Sequence, residues 1–365
     1  MFAMAISHEY GIEPWTLPIA FRERMRYLSC MSFQVILFYK YVTINEPHLF
    51  ADKWRARAHE LGLSGRFLVA EEGINATLEG EREKTECLIQ ELRQDERFAD
   101  LKVKTSIGNG KSFPKLAVKV VREIVGTRFS QEDADPRVRT ASRLSPEALH
   151  EMYAKNDDFV VVDMRNSYEF ASGHFKNSID PGMRASRDLQ TAIVKLEPYK
   201  NKKIVTVCTG GIRCEKMSAY LLSKGFSDVC QLEEGIHAYM QKYPGQDFLG
   251  TLYTFDDRIM MDFGGDREIV GTCLHCKQKT ERYLNCANDI CHVHILVCEV
   301  CAPTADKAVC SRWCRLQASW LQLKKEIKIL LEPARIYLKR KRRYLIKRSY
   351  RLIWELRLLK RKMMV

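Results

Sequence analysis

Little in the sequence predicts a segment that would carry the chain into or across a membrane. No run of 18 or more apolar residues occurs among its 365, so no transmembrane helix is expected. Its first thirty residues show no basic start leading into a long apolar core. Glu9, Glu13, Arg22, Glu23 and Arg24 interrupt that stretch, and no signal peptide is expected. A G-x-G-x-x-G dinucleotide fingerprint is also missing, so no nicotinamide or flavin cofactor is named by the sequence. Cysteine, by contrast, is abundant. There are thirteen, an odd number, and several fall in C-x-x-C pairs. With no secretory leader expected, that pattern reads as reduced thiols and metal ligands rather than a disulfide framework. The length allows two or three domains, and the 46% apolar share is ordinary for globular protein. The net charge of +13 is concentrated toward the C-terminus.

One stretch organises the rest: Ile204 to Lys216, IVTVCTGGIRCEK. The β-branched run Ile204-Val205-Thr206-Val207 predicts a short buried strand ending at Cys208. A tight loop follows, Thr209-Gly210-Gly211-Ile212-Arg213, and a helical pattern starts at Cys214. Glycines let successive N–H groups turn inward as a nest, the helix start adds positive potential, and Arg213 adds a guanidinium. All three favour thiolate over thiol, so Cys208 is expected to be a reactive sulfur with a lowered pKa. Cys214, one position past the loop, is the second candidate thiol, in a resolving role. A phosphatase-type loop needs five residues between cysteine and arginine, and this one has four, Thr209 to Ile212.

The fold class expected is a multidomain α/β protein. Residues 1–32 form an N-terminal extension without a clear period. Residues 33–125 follow the order β-α-β-β-α-β, the ferredoxin-like α+β pattern, which serves equally as an RNA-facing sheet or a scaffold. The polar stretch 126–143 reads as a linker. Residues 144–248 alternate strands and helices. Ser145-Pro146 is a helix start, and the strands Phe159–Asp163, Val205–Val207 and Val229–Leu232 argue for a parallel sheet. Asp163 and His174 are expected to be structural.

Residues 249–314 are cysteine-dense. Cys273, Cys276, Cys298 and Cys301 make two C-x-x-C pairs that together fit a four-thiolate structural zinc site, with metal-free reduced thiols or partial oxidation as the alternative. Cys286, Cys291, Cys310 and Cys314 are a second conceivable set. His292 and His294 read as neighbours of a zinc site rather than iron ligands. The tail, 315–365, is built of helix formers loaded with Lys and Arg, as in Lys339-Arg340-Lys341-Arg342-Arg343, with Tyr337, Tyr344, Tyr350 and Trp354 interleaved. Contact with RNA phosphates and bases is expected, against a solvated helix or one lying on an anionic membrane.

These residues carry a resemblance. Val162-Asp163-Met164-Arg165-Asn166-Ser167-Tyr168-Glu169-Phe170, then Gly173-His174-Phe175, resembles a rhodanese signature. CTGGIR resembles that family's active-site loop, and Gly225-Phe226 with Leu232-Glu233-Glu234-Gly235-Ile236 its closing pattern. Glu234 departs from a position where many members have glycine, which is expected to weaken the turn and not the chemistry. Together with the ferredoxin-like block, Phe255–Arg258 (FDDR) and the Cys-rich module, residues 33–314 resemble the bacterial rhodanese-domain tRNA uridine(34) hydroxylases. That resemblance implies a cytoplasmic oxidoreductase acting in tRNA modification. Such an enzyme uses molecular oxygen and an electron donor not named by the sequence to turn wobble uridine into 5-hydroxyuridine. It implies that Cys208 is essential and that tRNA, not DNA, is the partner. The alternative is a rhodanese-type sulfurtransferase carrying a cysteine persulfide on Cys208, with Arg213 orienting an anionic donor.

Overall fold

The computed structural model describes residues 33–261, 263–264, 268–291, 293–303 and 308–362. The N-terminal extension 1–32 and His292 lie outside the described residues. The chain divides into two units. One runs through Cys273 and includes Lys277–Glu281; the other comprises Leu274–Cys276 and the chain from Arg282 onward.

The first unit opens with β1 (Phe33–Tyr41), α1 (Pro47–Glu60), β2 (Ser64–Ala70), β3 (Gly73–Glu81), α2 (Arg82–Arg93), β4 (Val103–Ile107) and β5 (Leu116–Val120). The sheet order is β4-β1-β3-β2-β5, with β1 antiparallel to both β3 and β4. The first four strands reproduce the expected ferredoxin-like arrangement, and β5 adds an edge strand parallel to β2. Alternation along β1 sorts its side chains. Ile36 and Phe38 point into a core with Trp54 and Ala58 of α1 and Leu88 and Leu92 of α2. Leu37, Tyr39 and Tyr41 therefore occupy the opposite face of the sheet.

The residues expected to be a polar linker hold turns but are not fully solvated: Thr127, Ala134 and Ala141 are buried. They lead into β6 (Ser142–Leu144), α3 (Pro146–Lys155), β7 (Val160–Asp163), α4 (Ser167–Phe170), β8 (Gly173–Phe175), α5 (Leu189–Ala192), β9 (Lys203–Val207), α6 (Ile212–Ser223), β10 (Asp228–Leu232) and α7 (Gly235–Lys242). The Ser145 hydroxyl accepts from the Ala148 N–H at 3.1 Å and caps α3, with Pro146 behind it, as the Ser-Pro pair predicts. The second sheet runs β6-β10-β9-β7 and is parallel throughout. Both faces are covered. Ile204 packs with Met217 and Leu221 on one side, and Val205 and Val207 with Ile236 and Tyr239 on the other. That double burial explains why β9 reads as a continuous apolar run. Short strands β11 (Phe248–Gly250), β12 (Leu252–Tyr253) and β13 (Met260–Met261) complete the unit, with β11 pairing β8 and β12 pairing β13.

The second unit contains the hairpin β14 (Tyr283–Asn285) and β15 (His294–Leu296), then one long helix, α8 (Arg312–Lys362), with Pro333 inside it. Among the described residues, no helix is long and apolar enough to cross a membrane.

Candidate active site

Strand β9 lies between β10 and β7, so Cys208 leaves the sheet at the carboxyl end of an inner strand. Parallel α/β sheets place their ligands beyond such ends. Residues 208–211 then turn sharply into α6. Gly211 makes the turn at φ +94°, a backbone region that favours glycine. Gly235, at φ +73°, backs the loop so closely that a Cβ there would stand 2.4 Å from the Cys208 carbonyl oxygen. The Ile236 N–H donates to the Cys208 carbonyl at 2.9 Å and the His237 N–H to the Thr209 carbonyl at 3.0 Å, pinning the loop to α7. Glu234 precedes this contact at φ +58°, an uncommon conformation for a residue with a Cβ. Lys102 pairs with both Glu233 and Glu234, at 2.6 and 3.6 Å.

The loop surrounds the Cys208 sulfur with donors. The Gly211 N–H donates to Sγ at 3.2 Å. Burial on its own raises the thiol pKa. A hydrogen bond from the Cys214 thiol, the Arg213 charge and the backbone N–H groups of Cys214 and Arg213 outweigh it and bring Cys208 down to about 6. Cys214 moves the opposite way: burial and the neighbouring Cys208 charge keep it protonated. The two thiols thus share one proton, with the negative charge on Cys208. Cys208 and Cys214 are both fully buried.

Arg213 does not point outward. Its Nη1 donates to Glu169 Oε2 at 2.6 Å and its Nη2 to Glu169 Oε1 at 2.9 Å and Thr209 Oγ1 at 3.0 Å. The reading in which Arg213 orients an anionic sulfur donor loses its support, because a buried carboxylate already holds the guanidinium. Asp163 and Arg165 form a second buried pair at 2.6 Å, and Arg165 also donates to the Gly173 carbonyl. His174 stacks on Phe170 and bonds to its carbonyl through Nδ1 at 3.0 Å, a structural role as expected.

The face of the first sheet that could have met RNA covers this loop instead. A Cβ on Gly210 would stand 3.1 Å from the Leu37 side chain, and one on Gly211 would stand 2.8 Å from Tyr39 Oη. The Tyr41 hydroxyl donates to the Ile212 carbonyl at 3.3 Å. The two residues after Cys214 reach back across the same boundary. Glu215 accepts from Arg143 at 2.7 Å and from the Tyr39 hydroxyl at 3.4 Å. Lys216, buried, pairs with Glu72 and Glu123 at 2.8 and 2.9 Å. Of the two roles open to the ferredoxin-like domain, the geometry favours the scaffold.

A small pocket opens beside the loop, lined by Thr209, Gly210, His237, Phe255, Arg258 and Lys104 among others. His237 Nδ1 is buried with no hydrogen-bond partner. Burial, then the charges of Lys104 and Arg258, lower its pKa to about 4, so the ring is neutral at pH 7. Arg258 is fixed by Asp256 at 2.6 Å and by Ser106 Oγ at 2.8 Å, which ties the Phe255–Arg258 segment to β4. The Phe255 ring lies 5.6 Å from the Arg213 guanidinium. Glu169, His237, Lys104 and the aromatic face of β1 were not singled out from the sequence. Glu169 lay inside a quoted motif, and only its acidity three residues from Asn166 hinted at a role.

The cysteines of the second unit lie close together. Within the second unit, Cys276 and Cys298 have sulfurs 3.5 Å apart, and Cys286, Cys291, Cys310 and Cys314 bring theirs within 4.8 Å of one another. None of these cysteines, nor Cys273 or Cys301, is in a disulfide.

A parallel sheet with a cysteine-arginine loop at its carboxyl edge, docked under a ferredoxin-like sheet, defines a rhodanese-type protein with an added N-terminal domain. Family models agree: an acylphosphatase-like domain matches residues 33–124, a rhodanese-like domain 145–242 and a rhodanese C-terminal domain 249–315. A tRNA uridine(34) hydroxylase from Staphylococcus carnosus is 42% identical over 273 residues, 74% of this chain and 86% of its own. One from Staphylococcus aureus strain MRSA252 is 43% identical over 74% of this chain and 85% of its own. The chain belongs to the tRNA uridine(34) hydroxylase family. Among solved structures, a rhodanese-like domain protein from Staphylococcus aureus aligns at 26% identity over 27% of this chain and 90% of its own, with a TM-score of 0.23.

Proposed function

We propose that this protein hydroxylates uridine 34 of tRNA at C5 in an oxygen-dependent reaction for which Cys208 is essential. The observation that carries this reading is the donor set on one buried sulfur: the Gly211 N–H at 3.2 Å, the Cys214 thiol and the Arg213 charge. A thiolate held that way is a nucleophile at neutral pH, and C6 of uracil is an electrophilic carbon. Cys208 Sγ bonds to C6, and the electron pair moves onto C5 and O4 as an enolate. C5 bonds to one atom of O2. An external two-electron reductant of the thiol class cleaves the O–O bond and releases water. Loss of the C5 proton and departure of the thiolate from C6 restore the ring double bond. The sum is uridine, O2, two electrons and two protons to 5-hydroxyuridine and water.

Under this reading the base enters the pocket beside Thr209 and Gly210, where neutral His237 offers Nδ1 and Phe255 an aromatic edge. The exposed basic face of α8, with Tyr337, Tyr344, Tyr350 and Trp354 also exposed, meets tRNA phosphates and bases. The substrate places the protein in the cytoplasm. The two C-x-x-C pairs, Cys273 with Cys276 and Cys298 with Cys301, supply four thiolates for a structural zinc, which fill its coordination and leave no open position for catalysis.

Nucleoside mass spectrometry of tRNA treated with wild-type and Cys208→Ala protein under 18O2 tests the reading. The expected result is a heavy oxygen atom at C5 with wild type and none with the variant. Product formed by Cys208→Ala at the wild-type rate removes the cysteine from the reaction. Thiolated nucleosides in place of hydroxylated ones assign the persulfide sulfurtransferase instead.

A further inference from the structure

The second cysteine quartet lies wholly in the second unit, and its geometry points to a metal site of its own. We propose that Cys286, Cys291, Cys310 and Cys314 bind a second structural zinc(II), clamping the start of α8 to the β14–β15 hairpin.

Three observations carry this. The first is spacing. A tetrahedral zinc with Zn–S bonds of about 2.3 Å sets its sulfurs about 3.8 Å apart along each edge. Cys291 and Cys310 have sulfurs 3.6 Å apart, Cys310 and Cys314 3.3 Å, and all four lie within 4.8 Å. Those separations fit one ion at the centre and are far longer than the ~2.05 Å of a disulfide. The second is placement. Cys286 follows β14 directly, Cys291 lies in the turn after it, Cys310 stands two residues before α8 and Cys314 in its first turn. The ligands therefore come from two segments, and a shared ion joins them. The third is support around the sulfurs. The Cys310 N–H donates to Cys286 Sγ at 3.4 Å, and the Ser311 hydroxyl accepts from the Cys314 N–H at 3.1 Å. Asn288 reaches Gln317 of α8 at 2.8 Å. Backbone amides on sulfur and fixed neighbours are what hold metal-bound thiolates in place.

The local core makes the need plain. Among the described residues, the apolar cluster at this spot holds Cys286, Cys314 and Val309, with Cys291 and Cys310 against it. Four of those five side chains are thiols, and a metal staple shared by them joins the 51-residue helix to the short hairpin. On binding, four thiols release four protons, and the zinc with its four thiolates carries a net charge of −2.

The test counts zinc by mass spectrometry in the full-length chain, purified under argon without chelator. Two zinc ions per chain are expected. Cys310→Ser combined with Cys314→Ser is expected to leave one. In the wild-type protein, Cys286, Cys291, Cys310 and Cys314 should resist alkylation by N-ethylmaleimide until a chelator releases both ions. If the double variant does not fold, this wild-type alkylation map decides. One zinc per chain with those four thiols alkylated at once overturns the proposal. So does a Cys291–Cys310 or Cys310–Cys314 disulfide found by peptide mapping. A failure here leaves the proposed hydroxylation untouched, because nucleoside analysis of Cys208→Ala reads that separately.

Discussion

Arg213 and Glu169 meet side-on, two nitrogens to two oxygens at 2.6 and 2.9 Å, with the carboxylate fully buried. The pair sets both the shape of the cysteine loop and the field at its sulfur. Arg213 stabilises the Cys208 thiolate, and Glu169 partly cancels that pull. Arg213→Gln should therefore raise the pKa of Cys208 by on the order of one unit or more. The check is the pH profile of iodoacetamide alkylation at Cys208, followed by peptide mass spectrometry. An unshifted midpoint would show that the backbone donors alone hold the charge. Glu169→Gln leaves a buried guanidinium unpaired and should cost about 3–5 kcal/mol in denaturant unfolding.

The wild-type profile has a definite direction. Cys208 is lowered to about 6 in the fold, against about 8.5 for an ordinary cysteine. The folded state favours its ionised form, so its contribution to stability is complete above the unfolded pKa and is lost as pH falls through about 6. Activity and alkylation should rise through pH 6 and level off above it. A midpoint near 8.5 for either would contradict the donor geometry.

Lys216 is the tie between the two sheets of the first unit. Its ammonium is buried between Glu72 and Glu123. Lys216→Met removes one charge and leaves two carboxylates facing each other, a loss of about 3 kcal/mol by the same reasoning. Thermal unfolding followed by circular dichroism measures it, and a melting temperature within a degree of wild type would mean the pair does not hold the sheets.

His237 is neutral well below pH 7, so its protonation should leave no inflection in the activity profile between pH 5 and 8. If its unpaired Nδ1 meets the base, His237→Phe should lower kcat/KM for tRNA about tenfold, the worth of one lost hydrogen bond. Single-turnover kinetics with the variant give the number.

Deleting residues 332–365 should weaken tRNA binding and flatten its dependence on salt, because each Lys or Arg removed from a phosphate lowers the slope. Filter binding across a salt series reads both quantities at once.

Much of this was legible in the residues. A four-residue β-branched run ending in cysteine, with two glycines shortly after, sets strand and turn by local rules, and β9 and Gly211 lie where those rules put them; α6 starts at Ile212, two residues before the expected Cys214, and takes Arg213 into its first turn. The β-α-β-β-α-β order likewise comes from local periodicity. Partners across the chain were not legible. Glu169 stands 44 residues before Arg213, and Glu72 stands 144 before Lys216. No spacing rule links positions that only the folded sheets bring together. The face of β1 was ambiguous for the same reason: Leu37, Tyr39 and Tyr41 suit a nucleic-acid platform as well as a buried cover, and alternation tells which side they share but not what lies against it.

That cover has a practical corollary. Gly210 and Gly211 abut Leu37 and Tyr39 from a neighbouring domain. A rhodanese fragment cut at residues 145–242 would keep the donors on Cys208 but bare the loop to water and strip Lys104, Phe255 and Arg258 from the pocket beside it. Dissection by truncation would thus report a false negative, and the chemistry has to be sought with both sheets present.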